Sequence, residues 1–106
     1  MQVKIPYTPI VITLTEAAST EFKKILKDQE WPEDSYIRVA IRGKNEDGFI
    51  YTLKIQDRPN GADEVTVVSD IQISYDRRSR EDLAGLTIDF FENIGFRFIQ
   101  KVETGL

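Results

Sequence analysis

Two segments of alternating apolar and polar residues, joined by a short polar stretch, constrain the fold of this chain most. In residues 36–42, Ile37, Val39 and Ile41 fall on one side, and residues 49–55 alternate in the same way. Alternation with period two is typical of a β-strand with one buried face. The intervening residues 43–48 read GKNEDG and are polar. The pattern predicts two strands joined by a six-residue polar loop, which is where any chemistry would lie.

One long helix is predicted N-terminal to these strands. Its apolar residues recur at helical spacing and form a single stripe: Ala18, Phe22, Ile25 and Leu26. Thr13 and Thr15 are both candidate N-caps, and Thr13 with Glu16 fits a capping box. Pro32 disfavours helical backbone at the preceding residue, so the helix is expected to end before Trp31. The β-branched run at residues 10–12 predicts a short strand before it.

The rest of the chain reads as short strands with one polar helical turn. Asp76 is placed to cap that turn at residues 77–83, and Gly85 is placed to end it. Strands are predicted at residues 65–68, 71–75, 87–91 and 95–99, the last two joined as a hairpin by residues 92–94. About seven short strands and two helices indicate a β-dominated α+β domain. We expect an N-terminal arm at residues 1–9, the domain at 10–100 and a short tail at 101–106.

Composition excludes several classes of site. The chain has 106 residues and a net charge of −4, which fits one globular domain and disfavours nucleic acid or anionic membranes as partners. It contains no cysteine and no histidine, so it cannot supply a disulfide, a thiolate nucleophile or a Cys/His metal site. No apolar run approaches the ~20 residues of a membrane span. A cytoplasmic location and no cofactor are expected.

Two groups of charged residues remain as candidates for chemistry. Glu46 and Asp47 are adjacent carboxylates on the polar loop and could bind a hard cation, although no third ligand is placed by the sequence. Arg77, Arg78 and Arg80 form a basic patch that acidic residues interrupt, which is more typical of a solvated helical face than of a nucleic-acid contact. No nucleophile–base pair is visible, so no catalytic residue is predicted and an enzyme is not expected.

The ordered set of residues across the chain resembles the A-type iron–sulfur carriers, the HesB-like family. The resemblance starts with ITLTEAA at residues 12–18 and continues through residues 37–39. It covers about residues 10–98 and implies a folded mixed-sheet pseudo-barrel. The residues that match the family pattern in the later blocks are Gly48, Tyr51, Leu53, Asp57, Pro59, Val65, Ile71, Asp76, Gly85, Ile88, Asp89, Phe90, Gly95 and Phe96.

The chain departs from that family at the residues that would bind a cluster. Family members carry one cysteine in the loop, and spacing from Arg38 and Tyr51 puts Glu46 at its position. They also carry a Cys-x-Cys pair beyond the last strand, and residues 100–106 contain no cysteine. Because iron–sulfur clusters need thiolate or, less often, imidazole ligands, the resemblance implies the fold and not the cluster.

The favoured interpretation is a cysteine-free relative that acts as a protein-interaction or regulatory module, with a protein partner in iron–sulfur or sulfur metabolism. The alternative is weak binding of iron or another divalent metal by Glu46 and Asp47. Family members form dimers or tetramers that bring their cysteines together, so a monomer or a weak homodimer is expected here. The N-terminal arm could pair with a sheet edge or cover it.

Overall fold

A computed structural model describes residues 8–100, so the first seven residues of the predicted arm and the whole predicted tail lie outside the described residues. In chain order the elements are β1 (Thr13–Leu14), α1 (Glu16–Asp28), β2 (Tyr36–Asn45), β3 (Gly48–Gln56), β4 (Asp63–Val68), β5 (Ile71–Asp76), a 3-10 turn (Arg77–Ser79), α2 (Arg80–Leu83), β6 (Thr87–Phe91) and β7 (Gly95–Ile99). Seven strands and two α-helices in this part of the chain confirm the predicted β-dominated α+β class.

The strands form two sheets. The larger sheet has the order β3-β2-β5-β4, with β2 and β5 parallel and the other neighbours antiparallel. The smaller sheet has the order β1-β6-β7, with β1 parallel to β6 and β6 antiparallel to β7. In residues 8–100, no helix has the length and hydropathy needed to cross a membrane.

The core lies between the inner faces of these sheets and α1. Its fully buried members come from both sheets and from the segment around α2, and they include Ile37, Val39, Ile73, Tyr75, Leu83, Leu86 and Ile88. Helix α1 buries Ala18 and Phe22, and the Phe22 ring stacks on Phe96 with centroids 4.4 Å apart. Burial of such large side chains supplies most of the favourable free energy of folding, at roughly 2 kcal/mol for each.

The start of the chain differs in detail from its prediction. The strand is at Thr13–Leu14 and not at residues 10–12, although Ile10 and Ile12 are buried in the core. Thr15 is the N-cap of α1, and its hydroxyl accepts a hydrogen bond from the Ala18 amide at 3.2 Å. The Thr13 alternative is wrong because Thr13 pairs with Thr87 of β6 as part of a strand.

The predicted six-residue loop is also wrong. Strand β2 continues to Asn45 and β3 begins at Gly48, so only Glu46 and Asp47 lie between the strands. The register shifts between Ile41 and Gly43, which leaves Arg42 as a bulge residue without a direct partner in β3. Backbone pairing extends the polar end of this hairpin because an exposed ladder needs no apolar side chains.

Candidate functional site

The turn between β2 and β3 occupies the position that the resemblance assigns to a cluster cysteine. Asn45 pairs directly with Gly48 across the hairpin, and the Asn45 side-chain oxygen accepts a hydrogen bond from the Asp47 amide at 2.9 Å. This side-chain contact closes the turn locally. Both Glu46 and Asp47 are exposed, so their carboxylates point into water at the end of a long hairpin.

The end of the smaller sheet lies beside this turn. Gly48 has a φ of +122°, and a Cβ atom added there would lie 3.4 Å from Oε1 of Gln100, just beyond β7. Few residues other than glycine adopt this backbone conformation. The tertiary structure therefore brings the hairpin turn and the residue that follows β7 together, although they are 52 positions apart in the chain (100 − 48 = 52).

Aromatic residues of β3 and β7 pack together next to the hairpin turn. The Tyr51 ring stacks on Phe98 with centroids 4.8 Å apart and meets Phe49 edge-on at 6.3 Å. Burial, with a smaller effect of the Asp82 charge, raises the pKa of Tyr51, and the nearby Gln100 side chain opposes this shift. The Tyr51 hydroxyl oxygen is buried and has no hydrogen bond of good geometry to any of residues 8–100. Burial thus favours the neutral phenol of Tyr51 over the phenolate.

This arrangement lacks the ligands of a metal centre. Glu46 and Asp47 bring two carboxylates to one turn, but no group of three Asp, Glu, His or Cys side chains converges anywhere in residues 8–100. Thiolates hold iron–sulfur clusters, and residues 1–106 contain no cysteine. The donor set present does not fit a cluster.

Comparisons with known proteins find relatives that are named for iron–sulfur cluster assembly. It is 30% identical over 90 residues to a mitochondrial iron–sulfur cluster assembly 1 homolog of Gallus gallus, a match that covers 85% of this chain and 68% of that relative. It is 35% identical over 91 residues to an uncharacterized protein of Bradyrhizobium diazoefficiens, covering 83% and 85% of the two chains. The chain belongs to the HesB-like family of A-type iron–sulfur carriers. A scan against models of known protein families found no match.

Solved structures share the fold of this HesB-like chain. A crystal structure of IscA with a [2Fe-2S] cluster superposes with a TM-score of 0.73 at 22% identity, covering 85% of each chain. The crystal structure of Escherichia coli SufA, involved in biosynthesis of iron–sulfur clusters, gives a TM-score of 0.71 at 19% identity and covers 96% of this chain and 91% of SufA. At these identities the likeness concerns the fold alone.

The family-pattern residues at turns and caps lie at points of special backbone geometry. The Asp76 carboxylate accepts a hydrogen bond from the Arg78 amide at 2.8 Å, which caps the 3-10 turn. Gly85 ends α2 with a φ of +81°, and its amide donates to the carbonyl of Val11 at 2.8 Å. Gly95 has a φ of +102° at the start of β7. Asp57 is exposed and Pro59 is half-buried on the connection after β3.

The remaining family-pattern residues join the smaller sheet to α1. Thr15 donates its hydroxyl to Oδ1 of Asp89 at 2.6 Å, so the N-cap of α1 is tied to β6. Two hydrogen bonds lower the pKa of Asp89. The bond from Thr15 has the larger effect, and the bond from the Phe90 amide has the smaller one. The Phe90 ring packs against Phe96 at 4.9 Å, next to the stacked pair of Phe22 and Phe96.

A buried polar network next to β4 escaped the sequence predictions. The Tyr75 hydroxyl donates to Oε1 of Glu64 at 2.9 Å, and Nη1 of Arg80 donates to the same oxygen at 2.6 Å. Arg80 also donates to the backbone carbonyl of Thr8. Burial first, and then the hydrogen bond to Glu64, raises the pKa of Tyr75 to about 12. Tyr75 and Glu64 lie on paired strands, and buried polar groups in such positions are usually hydrogen-bonded. The sequence alone does not show that these two residues are paired.

A second ion pair lies on the outer face of the larger sheet. Nε and Nη2 of Arg38 donate to the two carboxylate oxygens of Asp63 at 2.8 and 3.1 Å, and the Asp63 side chain is only 1% exposed. Ser74 lies on the strand between these two residues and is fully buried. Charge-assisted bidentate pairs of this kind are among the stronger hydrogen bonds in proteins.

The predicted basic patch is divided by these contacts. Arg78 pairs with Asp76 at 2.8 Å and Arg80 pairs with Glu64, while Arg77 is exposed. The hydrogen bonds from Arg78 lower the pKa of Asp76 to about 2. The interpretation of a solvated helical face is therefore wrong for Arg80, which is a half-buried structural residue. The patch offers no row of free cations to a phosphate backbone.

Proposed function

We propose that this HesB-like chain acts as a protein-interaction or regulatory module in iron–sulfur cluster assembly and does not carry a cluster itself. One observation supports the proposal most: the turn of a regular hairpin holds Glu46 and no cysteine, and Glu46 is the residue that the resemblance assigns to the family's loop cysteine. Residues 1–106 offer no thiolate, whereas the fold is shared with solved structures of iron–sulfur proteins. The partner we infer is a protein of iron–sulfur or sulfur metabolism.

The first experiment tests whether the chain holds a cluster. Anaerobic incubation with ferrous iron and sulfide, followed by desalting, should leave no absorbance from sulfide-to-iron charge transfer. A cysteine-bearing carrier of the same family, treated in parallel, provides the positive control. Retention of an iron–sulfur chromophore by this chain would overturn the proposal, because it would require cluster ligands other than thiolates.

The second experiment tests the regulatory role directly. A cysteine-bearing carrier is loaded with a [2Fe-2S] cluster, and transfer to an apo-ferredoxin is followed by circular dichroism with increasing amounts of this chain. The proposal expects a saturable change of about twofold or more in the transfer rate, since a module that binds carrier or acceptor alters their encounter. An unchanged rate at about tenfold excess would contradict it.

Metal binding by Glu46 and Asp47 is the weaker candidate. The two carboxylates are adjacent and exposed, but no third ligand joins them in residues 8–100. Hard cations take six or more oxygen ligands, so two exposed carboxylates would leave most positions to water. Calorimetric titration with ferrous iron, compared with the Glu46→Ala/Asp47→Ala double variant, decides between specific binding and none.

A further inference from the structure

A groove of about 750 Å³ runs between the second half of α1 and the β4–β5 turn, on a part of the molecule remote from the hairpin turn. Apolar side chains line it, namely Leu26 of α1, Trp31 of the connection to β2 and Ile71 at the start of β5. This volume is within the range of about 300–1,000 Å³ that is common for binding sites. Two other grooves on the molecule are smaller, with volumes of about 380 and 460 Å³.

Trp31, the one tryptophan of the chain, is held in place and yet accessible. Its backbone amide donates to the Leu26 carbonyl at 2.8 Å, and its indole Nε1 donates to Oε1 of Gln29 at 3.3 Å. A second, smaller pocket of about 460 Å³, which Lys54 also lines, reaches the same tryptophan. A positioned tryptophan between two cavities is the type of residue that dominates the energetics of protein interfaces.

The walls of the groove carry opposite charges. Lys23 and Lys27 lie one helical turn apart on the α1 wall, and Glu33 and Asp70 lie in the rest of the lining. None of these four charges makes an ion pair with another of residues 8–100, where every ion pair uses an arginine. Charges of both signs are therefore available to an occupant of the groove.

Unusual backbone geometry borders the same groove. Among the non-glycine residues of the described segment, positive φ occurs at Glu30, Ser69 and Asp70, with values of 58°, 51° and 66°. Glu30 immediately precedes Trp31, and the other two form the turn that leads into Ile71. Left-handed backbone is unfavourable for an ordinary residue, and such residues are concentrated at functional sites. Turn geometry explains their positions, but glycine would relieve the cost at each of them.

We propose that this groove binds a segment of a partner protein in which an apolar stripe lies between an acidic edge and a basic edge. The apolar stripe packs on Trp31, the acidic edge faces Lys23 and Lys27, and the basic edge faces Glu33 and Asp70. The inference rests on the proposed interaction role and adds where the partner binds and with what chemistry. Oppositely charged walls favour such an occupant over an acidic or a basic one, because either would meet a like charge.

Fluorescence of Trp31 tests the proposal, since it reports from inside the groove without a label. The probe is a short helical peptide that lacks tryptophan and has a leucine stripe between a glutamate edge and a lysine edge. We expect a saturable shift of the emission. The Lys23→Glu/Lys27→Glu variant should weaken binding by about tenfold, because it places like charges opposite the acidic edge.

Two controls accompany the test. Lys44→Glu reverses a single lysine charge on β2, where Lys44 lies over the Phe49 ring and is not part of the groove lining, and it should leave the affinity unchanged. A peptide of the same composition with mixed charges on both edges should bind more weakly. Absence of a shift, equal binding of both peptides, or equal affinity of the groove variant would overturn the proposal. Self-association that the groove variant abolishes would instead assign the groove to a second copy, and would overturn it too.

The cluster-transfer assay separates this inference from the proposed function. If the wild-type chain changes the transfer rate and the groove variant does so equally, the proposed function stands and the groove is not its site. If the wild-type chain has no effect on transfer, the proposed function fails, whereas peptide binding still decides the inference about the groove.

Discussion

The larger sheet has exposed acidic side chains at its hairpin turn and buried, paired ones on its edge strand β4. At the hairpin turn, Glu46 and Asp47 are exposed and make no ion pair with another of residues 8–100. On β4, by contrast, the side chains of Asp63 and Glu64 are only 1% and 11% exposed, and each of them pairs with an arginine. The difference indicates that the charges of β4 contribute to stability, whereas the carboxylates of the hairpin turn make no ion pair within residues 8–100 that would do so.

Removing the arginine that pairs with the buried Asp63 should have the largest effect on stability. We expect Arg38→Met to lower the free energy of unfolding by about 3–5 kcal/mol, because it leaves the buried Asp63 carboxylate without its partner. Urea unfolding measures this loss. The matched control is Arg42→Met on the same strand, where the side chain is exposed and the expected change is within about 0.5 kcal/mol. Equal effects of the two substitutions would remove the contrast.

Alkaline pH should reveal the Tyr75–Glu64 contact. Since the pKa of Tyr75 is raised to about 12 in the folded state, the unfolded chain loses this proton first, near its ordinary value of about 10. Between these values the unfolded state binds fewer protons, so stability is full below about pH 10 and falls as the pH rises towards 12. From about pH 9 to 11.5, the wild type should lose roughly 2 kcal/mol more than Tyr75→Phe. Parallel losses in both proteins would contradict the assignment.

A smaller effect is expected where the smaller sheet meets α1. Thr15→Val keeps the shape of the side chain but removes the N-cap and the hydrogen bond to Asp89. We expect a loss of about 1–2 kcal/mol, seen as a fall of about 5 °C or more in the melting temperature. Thr20→Val on the exposed face of α1 is the control. Because Thr15 lowers the pKa of Asp89, the variant should also lose less stability than the wild type as the pH falls.

The smallest effect belongs to the hairpin turn. Glu46→Ala should change the free energy of unfolding by no more than about 0.5 kcal/mol, since the side chain is exposed and makes no ion pair within residues 8–100. Asn45→Ala is the informative neighbour, because it removes the side-chain contact that closes the turn. A marked loss of stability from Glu46→Ala alone would show that this side chain contributes to the folded state.

Local pattern was sufficient for most of the fold. Period-two alternation located β2 and β3, and helical spacing located α1, because each depends on residues close in sequence. The polar end of the hairpin was predicted as a loop and is a strand, since cross-strand hydrogen bonds and not side chains hold it. The domain limits at residues 1–9 and 101–106 stay predictions, as does the assignment of Glu46 to the cysteine position.

The sequence by itself determined which cluster ligands residues 1–106 lack. These residues contain neither cysteine nor histidine, the side chains that hold iron–sulfur clusters, and this observation needs no structure. Tertiary structure alone decided which charges matter, because pairs such as Thr15 with Asp89 and Arg38 with Asp63 join residues 74 and 25 positions apart. It also decided that Trp31, which reads in sequence as part of an acidic loop, lines a groove with charges of both signs. Such long-range contacts stabilise the fold more strongly when they are buried, because electrostatic interactions are stronger in the protein interior. A local sequence pattern does not show which distant residues will meet there.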